Sequence, residues 1–152
     1  MKIVNGCMYL QEIKNLIIEY TTSLNRNLEF QHIEEELNAL EAKYTGENGK
    51  ILAAVSDEGN VIGCVAFHAL SNRRCEMKRL YVKPAYRNLK TGEKLVNSII
   101  SLARQDGYEE MVLDTIKPLK SAIYLYKKYG FEETDAYYDN PMEDVIYMKL
   151  KL

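Results

Sequence analysis

The sequence predicts an α/β protein with one mixed (α+β-type) β-sheet and helices on both faces, in the order α-α-β-β-β-α-β-α-β-β. Two observations carry that prediction. The spacing of apolar residues switches near residue 50 from a helical period to a strand period. Residues 75–115 then alternate strand, helix, strand, which demands a parallel pair with a right-handed crossover inside a sheet otherwise joined by hairpins.

Each element follows from local pattern. Leu10, Ile13, Leu16, Ile17, Tyr20 and Leu24 recur at helical spacing. Ile33, Leu37, Leu40 and Tyr44 repeat it in a second helix, stopped by the polar stretch at 45–49. Residues 51–55 and 61–70 form two strands around the turn Asp57-Glu58-Gly59-Asn60, and 75–82 form a third, ended by Pro84. Gly92, Leu95, Val96, Ile99, Ile100 and Ala103 lie on one stripe of an amphipathic helix closed by Asp106-Gly107. Met111-Val112-Leu113 centres a buried strand. A helix carries Ala122, Ile123, Leu125, Tyr126 and Tyr129, with Pro118 near its start and Gly130 after its end. Strands around 131–136 and 145–150 finish the chain.

Composition bounds the function. The chain has 152 residues, 47% of them hydrophobic, and no Pro-, Gly- or Ser-rich linker, so residues 1–152 are expected to form one domain around one core. A formal net charge of -2 and a pI near 5.8 argue against nucleic-acid or general polyphosphate binding. No apolar run approaches the ~20 residues that cross a bilayer, and the first residues lack the apolar block of a secretory signal. The expectation is a cytoplasmic protein with no membrane partner. The three cysteines, Cys7, Cys64 and Cys75, form no C-x-x-C pair, and His32 and His68 stand alone, so no metal is implied. Cys64 and Cys75 fit as small buried hydrophobes, and the two histidines as solvated or hydrogen-bonded structural residues.

One segment concentrates positive charge. Lys78, Arg79, Lys83, Arg87, Lys90 and Lys94 stand against the single acid Glu93, across a strand-to-helix loop. The first-turn amides of the following helix lack intrahelical partners, and the helix dipole makes that end positive. Together these make an anion site suited to phosphates, with a solvated charged face as the alternative. Neither G-x-x-x-x-G-K-[ST] nor G-x-G-x-x-G is present, which excludes the common nucleotide loops.

The loop Arg87-Asn88-Leu89-Lys90-Thr91-Gly92 resembles the [RQ]-x-x-G-x-[GA] pyrophosphate loop of the GNAT N-acetyltransferase superfamily. Residues 75–82, CEMKRLYV, resemble its central strand, and residues 122–131, AIYLYKKYGF, its closing A-x-x-L-Y-x-x-x-G-F segment. The element order agrees over nearly the whole chain, as in small bacterial single-domain members. Two positions depart from the pattern. Lys90 replaces the first loop glycine, and a backbone φ above zero there would cost a lysine on the order of 1 kcal/mol. Leu119 and Lys120 stand where many members carry a cofactor-binding Asn.

The resemblance implies a GNAT-like acyl-CoA N-acyltransferase fold and an enzyme that moves an acetyl group from acetyl-CoA to an amine by direct attack in a ternary complex. Acetyl-CoA would sit where the strands 75–82 and 109–115 splay apart. Its pantetheine amides would pair with the backbone of Leu80 and Val82, with Tyr81 between them. Backbone amides of Asn88, Leu89, Lys90, Thr91 and Gly92 would hold the diphosphate, with charge added by Arg87 and Lys90. The Leu80 N–H would receive the oxyanion. Glu76 stands where several members carry a carboxylate base; four strand residues, about 13 Å at ~3.3 Å each, separate it from Leu80, so a water relay or a bulge is required. Its alternative is an ion pair with Lys78 or Arg79. Tyr126 matches the acid tyrosine that protonates the departing thiolate, its alternative being a core tyrosine.

The acceptor is the open question. Residues 132–144 hold six acids and no Lys or Arg, beside the turn Tyr137-Tyr138-Asp139-Asn140-Pro141. An acidic, tyrosine-lined mouth around Tyr137, Tyr138 and Asn140 would attract a small cationic amine. A solvated acidic loop with tyrosines packed on the core is the other reading. Two further functions stay open: acetylation of a protein N-terminus or lysine in an open groove, and an acyl-CoA-binding sensor without turnover. Proteins of this kind are commonly homodimers through sheet edges or terminal strands, and the apolar last strand suits one.

Overall fold

The computed structural model describes residues 1–152, the side chain of Phe30 aside. Seven strands form one sheet in the order β1-β2-β3-β4-β5-β7-β6, with bounds β1 Lys2–Asn5, β2 Gly49–Val55, β3 Val61–Ala69, β4 Arg74–Val82, β5 Glu110–Ile116, β6 Glu132–Thr134 and β7 Val145–Lys151. The β4–β5 pair is parallel and every other pair antiparallel, as the strand–helix–strand unit required.

The helices are α1 Leu10–Leu24, α2 Ile33–Asn38, α3 Leu40–Tyr44, α4 Thr91–Gln105 and α5 Lys120–Lys128. Alternation along the strands sorts the core into two layers. On one face Ile62, Val65, Phe67, Cys75, Met77 and Leu113 pack against the stripe Leu95, Val96, Ile99, Ile100 and Ala103 of α4, with Tyr126 of α5 beside them. On the other face Ile51, Ala53, Cys64 and Ala66 meet Ile13, Leu16 and Ile17 of α1 and Tyr44 of α3. Cys64 and Cys75 are buried as expected, and burial pushes both thiols up to about 12.

Three features differ from the sequence reading. β1 was not anticipated: its four residues, of which only Ile3 and Val4 are half-buried, are too few to show a period, and pairing with β2 orders them. The expected helix through 33–44 breaks at Ala39 (φ -137°) into α2 and α3, and this break lets Lys43 reach back to Glu36, Nζ to Oε1 at 2.8 Å. Lastly, β4 is not a plain strand. Ala66 pairs with Lys78 and Cys64 with Tyr81, so Arg79 and Leu80 together oppose Val65 in a β-bulge. Arg79 adopts φ +63°, and the Cys64 thiol donates to its carbonyl at 3.3 Å.

Among the described residues no helix is long and apolar enough to cross a membrane.

Candidate active site

β4 and β5 begin as neighbours and then part. Arg74, Cys75 and Glu76 pair with Glu110, Met111 and Val112, and the register ends there. From Met77 to Val82 the β5-facing edge of β4 has no strand beside it, and the bulge turns Leu80 away from β3 as well. The wedge opens a cavity of about 60 Å³. Met77, Lys78 and Leu80 line it from β4, Leu113 and Asp114 from β5, and Tyr126 from α5. Tyr20 and Leu24 of α1, Arg26, Leu28, Gln31 and Met142 line its other side.

The loop beyond β4 is built as the sequence suggested. Pro84–Leu89 form a 3-10 turn, and Lys90 sits in the left-handed region at φ +60°, the strain anticipated for a lysine at a glycine position. Arg87 is exposed; its Nε donates to the Val82 carbonyl at 3.0 Å and its guanidinium lies 5.5 Å from the Tyr81 ring centroid. Tyr81 itself faces α1, where its hydroxyl donates to Glu19 at 2.6 Å. Asn88, Leu89 and Lys90 are exposed on the turn. Helix α4 then starts without a side-chain cap, and its first intrahelical amide bond is Lys94 N–H to Lys90. The Thr91 hydroxyl is buried with no hydrogen-bond partner among the described residues. Gly92 lets the first turn approach α5, since a Cβ there would lie 3.3 Å from Leu125 Cδ1. Free amides, an orphan hydroxyl and exposed cations at Arg87 and Lys90 fit a diphosphate.

The basic cluster divides in three dimensions. Lys83, Arg87, Lys90 and Lys94 belong to the loop and helix start, but Lys78 and Arg79 do not. Arg79 turns under α2, where Nε lies 2.7 Å from Glu36 Oε2 and Nη1 3.0 Å from Gln31. Both ends of this pair are almost wholly buried. Burial pushes the Glu36 carboxyl up, but Arg79 and Lys43 outweigh it and hold it at about 2.

Glu76 keeps Lys78 of the two ion-pair partners the sequence offered, at long range, and gains two closer partners. His68 Nε2 lies 2.7 Å from its Oε1, the Tyr137 hydroxyl donates to its Oε2 at 2.5 Å, and Lys78 Nζ stands off at 4.0 Å. Arg79 is not its partner. Burial raises the Glu76 carboxyl, but the His68 bond, the Lys78 charge and the Tyr137 bond hold it at about 2. It is therefore an ion with both oxygens engaged, and it lies behind the cavity wall, not in it.

The tail folds across this face. Tyr138 donates its hydroxyl to Asp114 Oδ2, Asn140 donates to the same oxygen at 3.3 Å and to the Tyr138 hydroxyl at 2.8 Å, and Tyr147 donates to the Tyr138 carbonyl at 3.0 Å. The rings of Tyr137, Tyr138 and Tyr147 pack with centroids 5.3 to 5.7 Å apart. Arg26 fixes the tail's far end through Asp144, a two-pronged bond with Nη2 to Oδ2 at 2.8 Å. Of the tail acids, Glu132, Glu133, Asp135, Asp139 and Glu143 point to solvent. The carboxylates that meet Tyr137, Tyr138 and Asn140 come instead from strands, Glu76 and Asp114. Sequence reading passed over Asp114 because one acid in an apolar strand carries no periodic signal; Lys78 was grouped with the wrong cations.

Tyr126 is buried, edge-on to Phe131 at 5.8 Å, and lines the cavity from the side opposite α1. Burial, with Tyr20 and Asp114 adding to it, pushes its phenol well above the ordinary value.

A free strand edge beside an uncapped, cation-flanked helix start defines the class: a transferase that handles an acyl group on coenzyme A. The comparisons agree. Residues 10–131 match the model of the acetyltransferase (GNAT) family. An uncharacterized N-acetyltransferase of Schizosaccharomyces pombe is 42% identical over 144 residues, covering 94% of this chain and 88% of that one. A GNAT-family acetyltransferase of Staphylococcus aureus superposes with TM-score 0.82 over 99% of this chain and 98% of that one, at 24% identity, a likeness of fold. A GNAT acetyltransferase of Elizabethkingia anophelis, 25% identical with TM-score 0.59 over 69% of this chain and 77% of that one, was crystallised with acetyl-CoA bound. The chain belongs to the GNAT acetyltransferase family and is an acetyl-CoA-dependent acyltransferase.

Proposed function

We propose that the protein acetylates a primary amine of a small molecule, with acceptor and acetyl-CoA bound together. The observation that carries this reading is the small wedge between β4 and β5. The free β4 edge borders it on one side, and Tyr20, Leu24, Arg26, Leu28, Gln31 and Met142 line the other. A protein lysine or N-terminus would need an open groove.

Acetyl-CoA supplies the activated acetyl group. Leu80 and Val82 offer backbone groups to its pantetheine arm, and residues 88–92, with Arg87 and Lys90, offer amides and charge to its diphosphate. The N–H of Leu80, which lies in the bulge opposite Val65, is the donor for negative charge on the acetyl oxygen. Tyr126 is the acid for the departing sulfur: burial keeps its phenol protonated at neutral pH, so its hydroxyl donates to the sulfur as negative charge develops there. Asp114 faces the amine, its orientation fixed by Tyr138 and Asn140.

Glu76 takes a different part from the expected base. A carboxylate held at about 2 is a weak base, and its oxygens are bonded to His68 and Tyr137. It is a positioning residue that ties Tyr137 of the tail to β4.

Release of free thiol from acetyl-CoA over a panel of small amines tests the reading, with a lysine-containing peptide for comparison. Turnover on small amines and none on the peptide is the expected outcome. Turnover on the peptide alone overturns it, and tight acetyl-CoA binding with no thiol release makes the protein a sensor.

A further inference from the structure

We propose that the acceptor is an amino carboxylate with an apolar side chain, its carboxylate held by Lys78 and its amine facing Asp114. The inference rests on the amine-acetyltransferase reading and narrows its substrate class.

Three cations line the cavity, Arg26, Lys78 and Arg79. Two are closed off by the protein itself: Arg26 by Asp144, and Arg79 by Glu36 and Gln31. Lys78 is not. Nine-tenths of its side chain is buried, yet its nearest carboxylate oxygen, Glu76 Oε1, lies at 4.0 Å, outside hydrogen-bond reach. Both Glu76 oxygens already serve His68 and Tyr137. The Lys78 ammonium has three donors, opens into the cavity and finds no protein acceptor in hydrogen-bond reach, so the cavity favours an anion there. Burial lowers the Lys78 pKa, the direction expected of a cation awaiting its partner.

That anion is not the diphosphate of the coenzyme. Lys78 precedes Val82, the end of β4, by four residues, about 13 Å of strand at ~3.3 Å each, and the diphosphate loop lies beyond Val82. Lys78 also projects to the α1 side of the sheet, paired across from Ala66.

The opposite charge stands in the same cavity. Asp114 takes its bonds from Tyr138 and Asn140 on Oδ2, which leaves Oδ1 clear of both. A cation site and an anion site in one small chamber fit a zwitterion. Among the other lining residues, Leu24, Leu28, Leu113 and Met142 supply apolar surface that suits an aliphatic or thioether side chain.

Matched pairs test this directly. Alanine, leucine and methionine are assayed by thiol release against their decarboxylated counterparts ethylamine, isoamylamine and methylthiopropylamine, in wild type, Lys78→Met and Lys78→Arg. Wild type should favour the amino acids by about 10- to 100-fold in kcat/KM, the worth of one charged hydrogen bond. That preference should collapse toward unity in Lys78→Met and survive in part in Lys78→Arg. A wild type that favours the decarboxylated amines overturns the proposal. So does a Lys78→Met that loses activity on both members of a pair equally, since Lys78 would then serve the transfer step. Binding is read separately: N-acetyl-leucine should raise the Tm of wild type and not of Lys78→Met, whereas isoamylacetamide should raise neither. No shift with N-acetyl-leucine overturns the carboxylate anchor. Thiol release with no acceptor overturns the amine-acetyltransferase reading alone, because the binding arm still decides the anchor.

Discussion

The two faces of this sheet are built from the same strands and hold opposite kinds of interior. Against α4 and α5 the layer is apolar from β2 to β7. Against α1, α2, α3 and the tail it changes character halfway. It is apolar over β2 and most of β3, then carries His68 at the end of β3, Glu76, Lys78 and Arg79 on β4 and Asp114 on β5. The first face holds the fold, by burying area that water would otherwise wet. The second holds charges that folding alone would not favour, each tied to a partner except Lys78. The wedge between β4 and β5 is where the faces meet, and it lets Tyr126 from one side and Asp114 from the other line one cavity.

Four changes would break or sharpen that contrast. The largest effect belongs to Tyr126→Phe, which removes one hydroxyl and little packing. It should lower kcat by about 100-fold or more while leaving the melting curve nearly unchanged, as a catalytic acid requires. An unchanged kcat would return Tyr126 to the apolar face as a core residue.

Arg79→Met comes next. It strands Glu36, whose side chain is 2% exposed, and breaking a buried pair in this way costs about 3–5 kcal/mol in urea unfolding. Glu36→Leu with Arg79→Met should recover most of the loss. A single variant as stable as wild type would mean that the buried charges on this face add nothing to its order.

Acid should weaken the same face first. Glu36 and Glu76 are held at about 2 in the fold against an ordinary 4.5. Their contribution is therefore complete above pH 4.5 and is lost as pH falls toward 2, where the unfolded chain binds more protons. The Tm should drop across that interval in wild type and drop less in Glu36→Gln, measured by calorimetry. Equal slopes in the two proteins would refute the assignment to Glu36.

The smallest effect concerns the loop. Lys90→Gly relieves the left-handed lysine and should stabilise the protein by about 1 kcal/mol, while weakening acetyl-CoA binding a few-fold through the lost charge. Tighter binding in the variant would show that Lys90 opposes the diphosphate.

How much of this was legible depends on the range of the signal. The α4 stripe, the hairpin at 57–60, the parallel pair and the loop 87–92 rest on spacing within about forty residues, and they stand where the sequence put them. The strand at 75–82 was legible as a strand, but its bulge was not. The left-handed turn at Arg79 is held by Cys64 and Glu36, residues distant in the chain. Glu76 and Tyr137 were both singled out, yet their mutual bond joins residues 61 positions apart. Asp114 gave no signal at all.

By itself, then, the sequence determined the element order, the face that α4 buries and the amides that await an anion, because periodicity and helix ends are local properties. Tertiary structure alone decided which cations were neutralised and which was left free. Charge pairing depends on distances across strands, and only the folded sheet, parted after Glu76, sets Lys78 and Asp114 on one cavity while sending Arg79 to Glu36.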